Sequence, residues 1–283
     1  AADDLRGGID VRDDDSRHLL ALHLSRLLEH LVHAEVALDV RIWVVDGVLA
    51  IARGDLGVEI GDAKLPGLQK LITSKSLEHN RIVITATQMM QSMIESPIPT
   101  RAEVLDVANS VIDGTDAVML SGETSVGKYP LQAVRYMDHI LHEMERWQRR
   151  NPQVLYPVDM LVNESPRRAL ANAAVSISQD LGLFGLFVPT NSGTTAAVVS
   201  AFRPSRPIYG ICASESTARM LMLHWGITPV VISEYDHRSW DNMCHQVAHK
   251  LKLKLKQRSI IVLAGFGLSS DDNQPVLKIL RYE

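Results

Sequence analysis

The chain has 283 residues, enough for two domains or one large one, and 46% hydrophobic content with mixed charges is the composition of a folded soluble protein. A formal net charge of -4 gives no electrostatic case for nucleic acid, and no apolar run approaches the length that spans a bilayer, so the expected partner is a small molecule. Two cysteines, Cys212 and Cys244, with neither zinc spacing nor a secretory leader, fit a cytoplasmic protein.

Residues 1–15 are acidic and aperiodic and read as an irregular lead-in. From Ser16 to Leu38 leucines recur at helical spacing, with Ser16 at the N-cap position. Three similar units follow. Val48–Ala52 reads as a buried strand before a helix near 64–79; RIVITAT reads as a strand before a helix near 101–111; DAVMLS reads as a strand before a helix near 130–148. Short β-branched runs alternating with amphipathic helices predict a parallel sheet with its chemistry at the C-terminal strand ends. Residues 149–168, rich in Pro, Asn and charge, read as a linker. Beyond it a helix over about 165–181 precedes an alternation of strands and helices that ends in SIIVLAG and PVLKILRY, predicting an open α/β sheet. The last helix of that unit is expected to end in the basic run KLKLKLKQR as a solvated helix terminus.

Polar residues gather at three strand ends. Arg53, Gly54, Asp55 and Gly57 follow the first strand, where a loop is expected; Thr87 and Gln88 follow the second; Ser121, Gly122 and Glu123 follow the third. Convergence of such groups on one mouth is what an active site on this architecture requires. On the Arg-Gly-Asp stretch alone, a tight turn with a surface ion pair reads equally well. Thr100 with Glu103 three residues on is a capping box that needs no function to explain it.

GETSVGKY matches the phosphate-loop pattern but carries Tyr129 where a hydroxyl should meet magnesium, so it reads as a decoy. His245 and His249 have zinc spacing without a glutamate or a third ligand, and an exposed helix face is the better reading. Met89, Met90, Met93, Met220 and Met222 read as core or interface filling. PTNSGTTA places hydroxyls and a glycine at a helix start, which suits either a phosphate seat or plain N-capping.

Taken together, ARGDLGVEI, ITATQMMQSM, PTRAEVLDVANSVIDGTDAVMLSGET and YPLQAV resemble barrel segments of the pyruvate kinase family, and SGTTA, RPSRPIYGI and WGITPV resemble its C-terminal domain. The resemblance implies an α/β fold: part of a (β/α)8 TIM barrel over residues 44–150, then an open α/β domain over 151–283, behind a divergent segment, 1–43, with one amphipathic helix. It implies phosphoryl transfer from phosphoenolpyruvate to ADP, giving pyruvate and ATP, with Mg2+ and K+, in a cytoplasmic homo-oligomer that is a tetramer in the family. By the family pattern Arg53 and Thr87 are the catalytic residues, Arg53 organising the site and Thr87 lying beside the carbon that is protonated. The backbone of Gly54 and Asp55 binds substrate, Asp55 is a magnesium ligand, and Ser121 and Glu123 line the wall.

The resemblance has gaps. The family's catalytic lysine and second magnesium ligand lie in a Lys-hydrophobic-Glu pattern, for which the nearest counterpart is HLVHAE, with no lysine and with Glu35 as the candidate ligand. The family's potassium and ADP residues from the early strands have no counterpart here. Thr190, Asn191, Ser192, Gly193, Thr194 and Thr195 match the place where regulated members hold the phosphate of an effector, here a sugar phosphate or a nucleotide. Asp271 and Asp272 in the late loop would repel a second phosphate. The alternative reading is a non-catalytic remnant that binds a phosphorylated effector or a full-length kinase subunit.

Overall fold

Two short apolar runs, VLAIA and IVITA, form the centre of the first sheet because both of their faces are covered, as a parallel pair requires. The computed structural model describes residues 43–45, 48–151, 165–232, 240–266 and 275–282. Its first sheet has the order β1 (Trp43–Val45), β2 (Val48–Ala52), β3 (Ile82–Ala86), β4 (Ala117–Met119). Pairs β2–β3 and β3–β4 are parallel, and β1 runs antiparallel to β2 with Val45 opposite Val48. The Asp46-Gly47 dipeptide between them is a hairpin signal that the strand–helix reading passed over.

Helices α1 (Arg53–Ile60), α2 (Leu65–Glu78), α3 (Arg101–Asp113), α4 (Gly122–Ser125) and α5 (Pro130–Arg150) complete this part. Leu49, Ile51 and Val83 pack against Leu56 of α1 and Ile72 of α2. A second cluster joins Met89, Met90 and Met93 to Val107 of α3 and Met137 of α5. Those three methionines are core, as expected, whereas Met220 and Met222 lie at the surface. The predicted loop after β2 is instead α1, which starts at Arg53 with no intervening residue; helical backbone satisfies Gly57 and Leu56 in the interior, where a loop would leave polar groups unpaired.

The second sheet has the order β7-β6-β5-β8-β9, from β5 (Leu186–Pro189), β6 (Ile208–Cys212), β7 (Ile227–Val231), β8 (Ser259–Ala264) and β9 (Val276–Arg281). All its pairs are parallel except β8–β9. Helices α6 (Pro166–Asp180), α7 (Thr194–Ala201) and α8 (Glu215–Leu221) and helix α9 (Trp240–Lys250) supply its layers. Alternation along the strands sorts the core: Leu186, Val188 and Ile261 meet α6 and α7, while Phe187, Ile260 and Val262 meet Met243 and Val247 of α9. Strand order reverses between β5 and β8.

The basic run is not a helix end. Helix α9 stops at Lys250, and Leu255 turns inward, 4% exposed, while its lysine neighbours stay out. The helix expected over 16–38, the 152–164 part of the linker and the loop with Asp271 and Asp272 lie outside the described residues. No helix among the described residues is long and apolar enough to cross a membrane.

The capping box is present and does more than cap. Thr100 Oγ1 accepts from Glu103 N at 3.3 Å, and Glu103 accepts from Thr100 N at 2.8 Å, Ser92 N at 2.7 Å and Ser92 Oγ at 2.5 Å. It thereby staples the 3-10 turn Gln91–Ile94 to α3. Burial pushes the Glu103 carboxyl up, but the hydrogen bonds from Ser92 and Thr100 outweigh it and hold the group below its ordinary value of 4.5. A carboxyl depressed by folding stabilises the fold above its unfolded pKa, and that contribution fades as pH falls through the folded value. Glu103→Gln is expected to lose about 1 kcal/mol at pH 7, with the gap from the parent protein closing below pH about 4.5. Urea denaturation at a series of pH values reads this directly, and a gap independent of pH would refute it.

Candidate active site

The mouth of the first sheet is organised by Arg53, the first residue of α1 and 7% exposed. Its Nε lies 3.3 Å from Ala86 O and 3.2 Å from Thr87 O; Nη1 donates to Asp106 Oδ1 and Oδ2 at 2.7 and 2.6 Å; Nη2 donates to Thr87 O at 2.7 Å and Met89 Sδ at 2.9 Å. A guanidinium has five N–H groups, and all of these are directed at protein acceptors. Arg53 thus ties the end of β2 to the end of β3 and to α3, and has no donor left over for a ligand.

Its neighbours are less enclosed. Gly54 and Asp55 stand in the first turn of α1, where backbone N–H groups have no intrahelical acceptor. Gly54 N donates to Thr87 Oγ1 at 3.0 Å. Asp55 is exposed and, among the described residues, has no hydrogen-bond or ion-pair partner. Among the described residues a Cβ at Gly54 would meet only Thr87 Oγ1, at an ordinary 3.7 Å, so none of them requires glycine there.

Thr87 and Gln88 are consecutive residues with positive φ, 66° and 53°. For a β-branched side chain this is an uncommon, strained conformation, held here by the Arg53 bonds to Thr87 O. The strain turns the chain sharply at the strand end and presents the Thr87 hydroxyl to α1.

Glu123, in α4, is fully buried, and its oxygens accept from Met90 N at 3.0 Å and Ser121 N at 2.8 Å. A carboxylate with two backbone donors therefore joins the loop after β3 to the loop after β4. Ser121 is half-buried beside it. The phosphate-loop decoy is explained by the same fold: Lys128 pairs with Glu95, and a Cβ on Gly127 would stand 2.5 Å from Glu123 O. The lysine points at a carboxylate, and the glycine is needed for backbone packing.

Of the residues singled out from the sequence, the structure brings Arg53, Gly54, Asp55, Thr87, Ser121 and Glu123 to one set of strand ends. It missed Asp106, whose only sequence signal is its place on the inward side of α3, and Met90, which contributes a backbone amide that no sequence pattern reveals. Glu35 lies outside the described residues.

In the second sheet, the Thr190–Thr195 stretch sits between β5 and α7. Thr190 and Thr195 are buried, and Thr190 Oγ1 accepts from Gly193 N at 3.0 Å; Asn191, Ser192 and Thr194 are exposed. Gly193, at φ 89°, caps α7, and a Cβ there would stand 2.5 Å from Met220 Cε. Neither cysteine is a nucleophile candidate: burial, with Asp241, pushes Cys244 up to about 12, and burial likewise raises Cys212. His245 packs edge-on against Tyr282 at 4.8 Å, and no cluster of three or more His, Cys, Asp or Glu side chains among the described residues is arranged to hold a metal.

Comparison with known proteins agrees with this geometry. Residues 32–134 match the model of the pyruvate kinase barrel domain, and residues 168–280 match that of the pyruvate kinase alpha/beta domain. A pyruvate kinase of Agrobacterium vitis is 40% identical over 233 residues, covering 82% of this chain and 48% of the relative. Pyruvate kinase II of Salmonella typhimurium is 43% identical over 190 residues, 67% of this chain and 39% of the relative. A crystal structure of a pyruvate kinase from Cryptosporidium parvum superposes with a TM-score of 0.73 at 33% identity, covering 83% of this chain and 46% of that one. The chain spans about half the length of the curated relatives it matches. With both of the family's domain models matched in order and the strand ends assembled as described, the chain belongs to the pyruvate kinase family, as part of its barrel followed by its α/β domain.

Proposed function

We propose that this chain carries the phosphoenolpyruvate side of a pyruvate kinase site and serves transfer of the phosphoryl group from phosphoenolpyruvate to ADP. The observation that carries the reading is the contact of the Gly54 amide with the Thr87 hydroxyl at the N-terminus of α1, beside the Asp55 carboxylate, which has no partner among the described residues. First-turn amides and the positive end of the helix suit an anionic substrate. Among the described residues packing leaves a Cβ at Gly54 tolerable, and in this reading the missing side chain leaves room for a ligand against the first turn of α1.

In the reaction, the bond from phosphorus to the enol oxygen breaks, a bond to the terminal oxygen of ADP forms, and a proton reaches the methylene carbon of the enolate. In this reading Thr87 lies beside that carbon, and Gly54 and Asp55 orient the substrate. Ser121 lines the wall, and Arg53 and Glu123 act as positioning residues. Asp55 fits a magnesium ion, being an exposed oxygen donor of the kind that binds it together with substrate oxygens, and Glu35 is the proposed second ligand. Magnesium, when bound, supplies charge neutralisation for the transferring group. Potassium, a cytoplasmic location and a homo-oligomer, tetrameric as in the family, complete the reading. The exposed Asn191, Ser192 and Thr194 at the start of α7 are the proposed seat of the phosphate of a sugar-phosphate or nucleotide effector.

One observation favours the second reading, effector binding without catalysis. Strand β1 covers the β2 edge antiparallel, whereas a closed barrel takes a parallel neighbour there. Pyruvate formation from phosphoenolpyruvate and ADP, with magnesium and potassium, separates the two. The catalytic reading expects turnover that Asp55→Asn lowers by about a hundredfold or more. Absence of both turnover and magnesium-dependent phosphoenolpyruvate binding in the folded chain would leave effector binding as the function.

The positioning role of Glu123 has its own signature. Glu123→Gln offers one carbonyl oxygen to two amide donors, so a buried N–H loses its partner and stability is expected to fall by about 1–3 kcal/mol. Urea denaturation beside the exposed-site control Ser125→Ala measures it; equal stability of the two variants would show that the loops hold without the carboxylate.

A further inference from the structure

The two sheets are joined by a small polar junction at the foot of β4. Asp116, one residue before that strand, has a side chain only 2% exposed. Its Oδ2 accepts from Val83 N at 3.0 Å, its Oδ1 accepts from Trp225 N at 2.9 Å, and Arg203 Nη1 lies 3.0 Å from Oδ1. Arg203 also donates from Nη2 to Gly114 O at 2.7 Å and from Nη1 to Ser200 O at 3.1 Å, and its guanidinium lies over the Trp225 ring at 5.5 Å. Ser200 Oγ donates in turn to Trp225 O at 2.6 Å.

Arg203 is the second residue after α7, and its φ is 48°. A left-handed arginine directly before Pro204 is a strained arrangement, kept only where surrounding contacts over-determine it. What those contacts fix is the guanidinium at Asp116 and Gly114. Strand β4 is three residues long, so the residue that Arg203 grips and the Ser121–Glu123 corner lie at opposite ends of one short, rigid segment.

We infer that Arg203, from the α/β part of the chain, is a positioning residue for the strand-end site: it sets the depth of β4 and with it the corner at which Glu123 meets the amides of Ser121 and Met90. The role of that corner in phosphoenolpyruvate binding rests on the reading above; the coupling itself does not. A second arginine supplies the control. Arg168 also crosses between the two parts, donating to Glu78 O and Asn80 Oδ1 at 2.9 Å, but touches neither β4 nor the loop that leads into it.

Hydrogen exchange of the full chain tests the coupling without any need for turnover. Arg203→Met is expected to speed exchange of the amides over 116–123 and of Met90 by about tenfold, because these report the β4 register and the Glu123 bonds. Arg168→Met should leave the same amides within about twofold of the parent. Should Arg203→Met fail to fold, Arg203→Lys, which keeps the charge but not the fork, is expected to speed those amides selectively to a smaller degree. Uniform acceleration along the chain in an Arg203 variant, or equal local effects from the Arg168 variant, would overturn the inference whatever the outcome of substrate binding. A selective effect in a chain that binds no phosphoenolpyruvate would uphold the coupling and remove only the assignment of the site.

Discussion

A single buried guanidinium sets the geometry on which the rest of the first sheet depends. Arg53 stands at the end of β2 and bonds to the end of β3 and to helix α3, segments 33 and 53 residues further along the chain. Three charged or polar surfaces meeting at a sheet end would ordinarily drift apart in water. A planar fork whose five donors are all engaged leaves few ways to rearrange without stranding a buried charge, which costs far more than the pair contributes when intact. The strained Thr87–Gln88 corner is therefore affordable: its energy is held by bonds from Arg53 to Thr87 O, and the corner in turn carries the hydroxyl that meets the Gly54 amide.

Glu123 repeats the device one strand further along with the charges reversed. Arg53 is a buried guanidinium held by carbonyls, a thioether and a carboxylate; Glu123 is a buried carboxylate that accepts from two backbone amides. Each joins two strand ends, and β3 is common to both. The mouth is thus a chain of three strand ends linked by two buried ions of opposite sign, with Asp55 standing outside the network and free of protein partners among the described residues. That division of labour, with some polar residues engaged to hold shape and others left open, is what preorganisation of a site requires.

Much of this was legible in the sequence, and the limits have physical causes. Alternation of β-branched runs with amphipathic helices located β2 to β9, and the signal is strongest in β3, β5, β6 and β8, where burial on both faces leaves a continuous apolar run. The loop expected after β2 was a helix because Arg-Gly-Asp has the polarity of a turn, while the contacts that make it helical lie in Leu56 and in α2. The strand pattern could not show β1, a three-residue strand defined by its pairing alone. The KLKLKLK run misled by composition: its alternation of lysine and leucine is the period of extended chain, and Leu255 is indeed turned inward. At the site, residue types with obvious chemistry were found, and backbone donors such as Met90 N were not, since a main-chain amide has no letter of its own.

Closure of a barrel constrains all eight strands at once, yet the site described here needs only three strand–helix units. Among the described residues, each of the polar contacts given above runs between β2, β3, β4 and the helices that follow them, all within residues 48–125. What a closed barrel would add is a parallel neighbour at each edge. At one edge β1 already occupies that place in the wrong direction, and at the other Met119 of β4 is 42% exposed. The geometry of the strand ends and the barrel's closure are therefore separable properties of this chain. The first is fixed by Arg53 and Glu123 through short-range bonds. The second depends on edge pairing, and there the antiparallel β1 is the element that has to yield before a parallel strand can add to β2.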